Sequence, residues 1–159
     1  MTMITGRVGS RLMGYDVNLS GDGPDQGGPL TLTGRIGSGL IARPLVLSVA
    51  GTQVTGRLGG AMLGQNLKLR LGAHTLTGRV GGERVGSDVR LDSSATSLSG
   101  QYGGAAMSFD LRPGEVTGGL GSKLAGADAV LRGDASPLLL ALVAALAYDC
   151  LQQDSAAAM

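Results

Sequence analysis

Cysteine is nearly absent: Cys150 is the only one in 159 residues. That excludes an intramolecular disulfide framework and a cysteine-rich zinc site. Tryptophan is missing, and the aromatic side chains are Tyr15, Tyr102, Tyr148 and Phe109 alone. Aliphatic side chains must therefore fill any core. The longest apolar run, Leu138 to Tyr148, has 11 residues, whereas a membrane-spanning helix needs about 20. Neither sign of charge dominates. Thirteen basic residues face 12 acidic ones, a net charge of +1, without the basic excess of a dedicated nucleic-acid binder. The start, Met1 to Arg7, has no charged stretch followed by an apolar run, so no signal peptide is read there. No myristoylation glycine stands at position 2, and no prenylation box ends the chain. The expectation is a soluble, cytoplasmic protein with no nucleic-acid partner, no cofactor and no metal.

Glycine, by contrast, is plentiful. The 29 Gly and 5 Pro make up about a fifth of the chain, below the roughly 25–30% of low-complexity disorder. With 43% hydrophobic residues, a packed core in a single domain is expected.

The glycines are not scattered. Thr-Gly-Arg recurs at Thr5, Thr33, Thr55 and Thr77, and degenerate copies stand at Ser99-Gly100-Gln101 and Thr117-Gly118-Gly119. The spacings are 28, 22, 22, 22 and 18 residues, a repeat period that must be recognised before the fold is argued. Each copy carries a small pair four residues on: Gly9-Ser10, Gly37-Ser38, Gly59-Gly60, Gly81-Gly82, Gly103-Gly104 and Gly121-Ser122. Such pairs favour two-residue hairpin turns, because their positive φ angles match the twist of the flanking strands.

A two-residue turn fixes a register in which Val8 faces Arg11 and Ile4 faces Tyr15. Side chains alternate along a strand. One face then collects Ile4, Gly6, Val8, Met13, Tyr15, Val17 and Leu19, and the other Thr5, Arg7, Asp16 and Asn18. The same rule sorts all six copies into an apolar and a mainly polar face, with Arg43 the exception on the apolar side of the second copy. Twelve antiparallel strands over residues 1–133 are expected. One glycine per hairpin falls on the apolar face: Gly6, Gly34, Gly56, Gly78, Gly100 and Gly118. Either something approaches the backbone there, or glycine eases strand bending; both favour a barrel.

All glycines lie at or before Gly133. Ser136 then suits an N-cap and Pro137 the first helical position, and Ala and Leu favour a helix over 136–152. From Leu138 to Tyr148 that helix is apolar on every side and must be wrapped all round. Twelve strands close at a radius of roughly 12 Å, too wide for side chains alone to fill. A helix about 10 Å across fills the difference. The expected fold is mainly β with one helix: a closed 12-stranded antiparallel barrel of six hairpin repeats enclosing the C-terminal apolar helix. It forms one domain over 1–153, with 154–159 as a disordered tail.

Twelve strands followed by an apolar helix resembles a minimal, bacterial-type member of the tubby-like superfamily. That group includes tubby, the phospholipid scramblases and the plant LURP-one-related proteins. The closest local match is Ala144-Ala145-Leu146-Ala147-Tyr148-Asp149-Cys150-Leu151, which looks like the apolar, Asp-containing final helix of those proteins. The resemblance implies a scaffold that binds phosphoinositide or a membrane surface.

Residue by residue, the outer-face arginines Arg7, Arg35, Arg57 and Arg79 should form a band near one rim, about 9–10 Å apart. With Lys68 and Arg70 nearby in sequence, Arg35, Arg57 and Arg79 are candidates to hold an anionic head group, since arginine presents a fork of donors to phosphate. The expected register places Leu12, Leu40, Met62 and Arg84 opposite the four arginines. The alternative is that their stems cover these side chains while Asp16, Asp88 and Asp110 balance the charge. His74 has no partner set for a metal and reads as a loop or strand-edge residue. Cys150 reads as a buried thiol and Asp149 and Asp154 as helix-end carboxylates. No nucleophile, base and orienter set is visible, so no enzyme is expected. The first functional expectation is a non-enzymatic scaffold for an anionic lipid head group or a protein partner. The other is a structural assembly protein, since a 22-residue repeat also admits a β-solenoid that polymerises.

Overall fold

The computed structural model describes residues 2–9, 14–21, 29–38, 41–59, 64–82, 86–121 and 127–157. Alternating apolar and polar residues form twelve strands: β1 Thr2–Gly9, β2 Gly14–Gly21, β3 Leu30–Ser38, β4 Ile41–Ala50, β5 Gln53–Leu58 and β6 Gln65–Leu71, then β7 Thr75–Gly81, β8 Gly86–Ser93, β9 Ser97–Tyr102, β10 Ala105–Arg112, β11 Glu115–Leu120 and β12 Ala127–Gly133. Each pairs antiparallel with its neighbours in sequence, and β1 pairs with β12 to close the ring. A solenoid is therefore not what the repeat builds: the closed ring leaves no free edge.

The faces fall as the alternation requires, but the turns do not. Only β9 and β10 have the expected register, with Tyr102 opposite Ala105 across Gly103-Gly104. In the other five hairpins the partner lies four residues further on. Val8 faces Tyr15 instead of Arg11, Ile36 faces Arg43, and Val80 faces Ser87. Four is even, so no side chain changes face. The physical reason is visible on the outer wall. The observed register sets Arg7 against Asp16 at 3.2 Å, Arg57 against Asn66 at 2.7 Å and Arg79 against Asp88 at 2.7 Å. A two-residue turn would have set Arg79 against Arg84, a destabilising like-charge pair. Leu12, Leu40, Met62 and Arg84 lie outside the described residues.

The six inward glycines form one ring. Going from one glycine to the next, the paired positions on the intervening strand are always two residues apart: Val17 and Leu19 between Gly6 and Gly34, Leu45 and Leu47 between Gly34 and Gly56, and so on round to Ala129 and Leu131. The unequal repeat spacings are absorbed in the connections, and the stagger stays constant. What comes close to these glycines is the adjacent strand. A Cβ on Gly34 would lie 1.8 Å from the Asn18 carbonyl oxygen, and the other five meet a neighbouring carbonyl at 2.0 to 2.4 Å. Both explanations for the inward glycines thus merge: the strands coil so strongly that their backbones crowd at this level.

Helix α1, Pro137–Ala157, runs through the lumen. Ser136 Oγ accepts the Leu138 amide at 3.3 Å, with Pro137 at the first helical position. Every side chain from Leu138 to Ala147 is at most 3% exposed. The helix touches β2 and β8, which stand six staves apart on opposite sides of the ring. It runs beyond the expected end at 152. Asp154, placed in a disordered tail by the sequence, is instead helical and paired: its carboxylate accepts two guanidinium N–H bonds from Arg43, at 3.0 and 2.5 Å, and one from the Tyr15 hydroxyl. This explains why, among the described residues, a cation stands on the inward face at Arg43. Arg43 stands at the start of β4, at the mouth where the helix ends.

The ion pair makes a pH prediction. The Arg43 guanidinium, ahead of the opposing effect of burial, holds the Asp154 carboxyl below the ordinary value of 3.8. A depressed folded pKa gives stability that is full above the unfolded value and drains away as pH falls through the folded one. Asp154→Asn should therefore weaken the protein near neutrality and remove part of its acid sensitivity between about pH 5 and pH 2. Melting curves at a series of pH values check this, and parallel profiles for the two proteins would contradict it.

Candidate functional site: an acid-free outer wall

The chain contains no aspartate or glutamate between Asp25 and Glu83, yet it places six basic residues there: Arg35, Arg43, Arg57, Lys68, Arg70 and Arg79. That stretch folds into β3 to β7, five adjoining staves. Arg43 points inward to Asp154. The other five, Arg35, Arg57, Lys68, Arg70 and Arg79, occupy outward positions in the alternation. All five residues read from the sequence as head-group ligands thus share one wall, about 19 Å wide at four strand spacings.

They divide into two groups. Lys68 lies directly opposite Arg79 across β6 and β7, and Arg70 lies opposite Thr77. These three, with Thr55 and Gln53 from β5, line an open hollow of about 690 Å³. Like charges directly opposite destabilise a sheet, so Lys68 beside Arg79 is a local cost. Asp88 on β8 borders the hollow and takes one N–H of Arg79. Arg79 Nε also donates to the Gly82 carbonyl at 2.9 Å, which aims the side chain.

Arg35 belongs to the second group. In the repeat, the residue nine positions after the arginine is its outer-face partner: Asp16 for Arg7, Asn66 for Arg57, Asp88 for Arg79. For Arg35 that position is Pro44, which cannot accept a side-chain hydrogen bond. Beside it on β4 stands Val46, 41% exposed and opposite Arg57. An apolar pair, Pro44 and Val46, is thus flanked by two guanidinium groups.

Arg7 is not part of this wall. It lies on β1 and pairs with Asp16. Asp110 faces Ser97 and Thr117 and forms no ion pair with a described arginine. Glu115 takes that role for Arg132 at 2.8 Å. His74 is exposed in the connection between β6 and β7. Cys150 is buried, and burial pushes its thiol up to about 11. Asp149 accepts the Tyr102 hydroxyl at 2.7 Å. No group of three potential metal ligands occurs among the described residues, and none of their helices is long and apolar enough to cross a membrane.

Fold and wall together define the protein as an up-and-down barrel around an axial helix, with one cationic flank. Comparison with protein-family models, with curated proteins and with solved structures finds no match.

Proposed function

We propose that this protein is a non-enzymatic binding scaffold whose wall over β3 to β7 docks on an anionic membrane surface and takes a phosphorylated head group. The observation that carries this reading is the segregation of charge: five outward cations and no anion on five adjoining strands, in a chain of net charge +1. Lys68, Arg70 and Arg79 converge on the open hollow and supply the donors a phosphate needs. The exposed Pro44 and Val46 between Arg35 and Arg57 favour a lipid interface over a free anion, because apolar side chains ringed by arginine gain by entering one. The element order that resembles the tubby-like superfamily supports the same reading, and membership of that group is part of the proposal.

Vesicle co-sedimentation tests it. The chain should bind phosphatidylcholine vesicles carrying anionic phosphoinositide and pass over plain phosphatidylcholine. A basic residue near such a surface contributes about 1 kcal/mol, so Lys68→Gln with Arg70→Gln should weaken binding roughly 30-fold. Arg132→Gln, across the barrel, should change it little. Equal effects of the two variants, or equal binding to plain vesicles, would refute the assignment.

A further inference from the structure

Along α1 the means of attachment changes at Tyr148. Below it, Leu138 to Ala147 are held by apolar packing on opposite walls of the barrel. Above it, the apolar contacts thin to Cys150 and Leu151 with Tyr148 against them, and polar ties join them. Tyr102 holds Asp149 at 2.7 Å on one side, and Arg43 and Tyr15 hold Asp154 on another. Between Tyr148 and Asp154 only Cys150 and Leu151 are buried, Gln152 and Gln153 are exposed, and the other three are half-buried. Segments with few buried apolar contacts open at lower free energy than the core they rest on. Cys150 belongs to this segment, and its thiol is turned inward, 1% exposed, within reach of the Arg43 guanidinium. Arg43 itself continues the inward row of Leu45 and Leu47, both fully buried. Among the described residues, Asp154 is the acid that matches that cation.

We propose that residues 148–154 form a latch over this mouth of the barrel, fastened by Arg43 and Asp154, which opens and exposes Cys150 while the twelve strands and Leu138 to Ala147 stay folded. The latch is a moving part independent of the cationic wall. Its opening uncovers a thiol that the closed barrel hides and frees a guanidinium and a tyrosine hydroxyl from Asp154.

Cys150 is the only thiol, so its modification reports the opening directly. The full chain is treated with Ellman's reagent at fixed pH across sub-denaturing urea concentrations. Local opening predicts a labelling rate that rises shallowly with urea, far less steeply than the global unfolding constant. Asp154→Asn and Arg43→Gln should each raise the rate about tenfold or more. The double variant should be no faster than the faster single one, because both remove the same tie. Far-ultraviolet circular dichroism should still show a cooperative melt in each. An unchanged rate in Asp154→Asn overturns the proposal. So does a urea slope equal to that of global unfolding. That second measurement needs only the wild-type chain, so it decides the matter even if a variant fails to fold.

Discussion

Ending the chain after Asp134 should abolish cooperative unfolding. Helix α1 fills a lumen that twelve strands cannot fill with side chains alone. Five leucines and Val143 on the helix are each at most 3% exposed, and burying such a side chain stabilises by about 1.5–3 kcal/mol. Their combined loss is on the order of 10 kcal/mol, comparable to the whole stability of an ordinary domain at about 5–15 kcal/mol. The leucines of the inner walls would lose their partners as well. The truncated chain should therefore collapse without a fixed core or self-associate. Calorimetry and sedimentation velocity on the truncated chain check this. A monomer that melts as sharply as the full chain, and at the same temperature, would show that the axial helix is dispensable.

The barrel was legible because its signals are redundant. Six copies of one pattern vote on the same strand alternation, and an error of four residues in the turn leaves every vote intact. Hence the faces, the strand number and the need for an axial helix all follow from the sequence, although five of six hairpin registers do not. The register is set by what two-residue turn rules omit. Cross-strand partners such as Arg7 with Asp16, and a stagger that must stay constant for the ring to close, outrank the local preference of Gly-Gly and Gly-Ser.

The candidate wall was legible in its residues but not in its cause. Arg35, Arg57 and Arg79 stand out by their place in the repeat, yet the stronger signal is the acid-free stretch between Asp25 and Glu83. Nothing in a net charge of +1 reveals that stretch, because the acids are gathered elsewhere. The wall became a site only once the topology laid the stretch out as contiguous staves. Arg43 shows the opposite limit. Its place on the apolar face was evident, but its partner is 111 residues away. No periodicity connects the start of β4 to the last turns of a helix.

The glycine ring carries the second large prediction, which isolates backbone crowding from every other effect. Gly34→Ala adds one methyl group to an inward position where the nearest atoms, at 1.8 and 2.8 Å, belong to the backbone of Asn18 and Leu19. Backbone cannot turn aside as a flexible side chain would, and β2 is held by hydrogen bonds to β1 as well as β3. In a closed ring any retreat of β2 must be passed to the next stave, so relief is costly at each. The substitution should cost at least about 3 kcal/mol, beyond the usual range of a single overpacked methylene. At roughly 2–4 °C per kcal/mol for a domain of this size, the melting temperature should fall by about 6–12 °C or more. Gly104→Ala makes the same chemical change where nothing lies within 4 Å, and it should stay within about 0.5 kcal/mol of the parent. If the two variants melt together, the inward glycines are there for flexibility and not for space. The six-fold recurrence of Gly on that face would then owe nothing to crowding between staves.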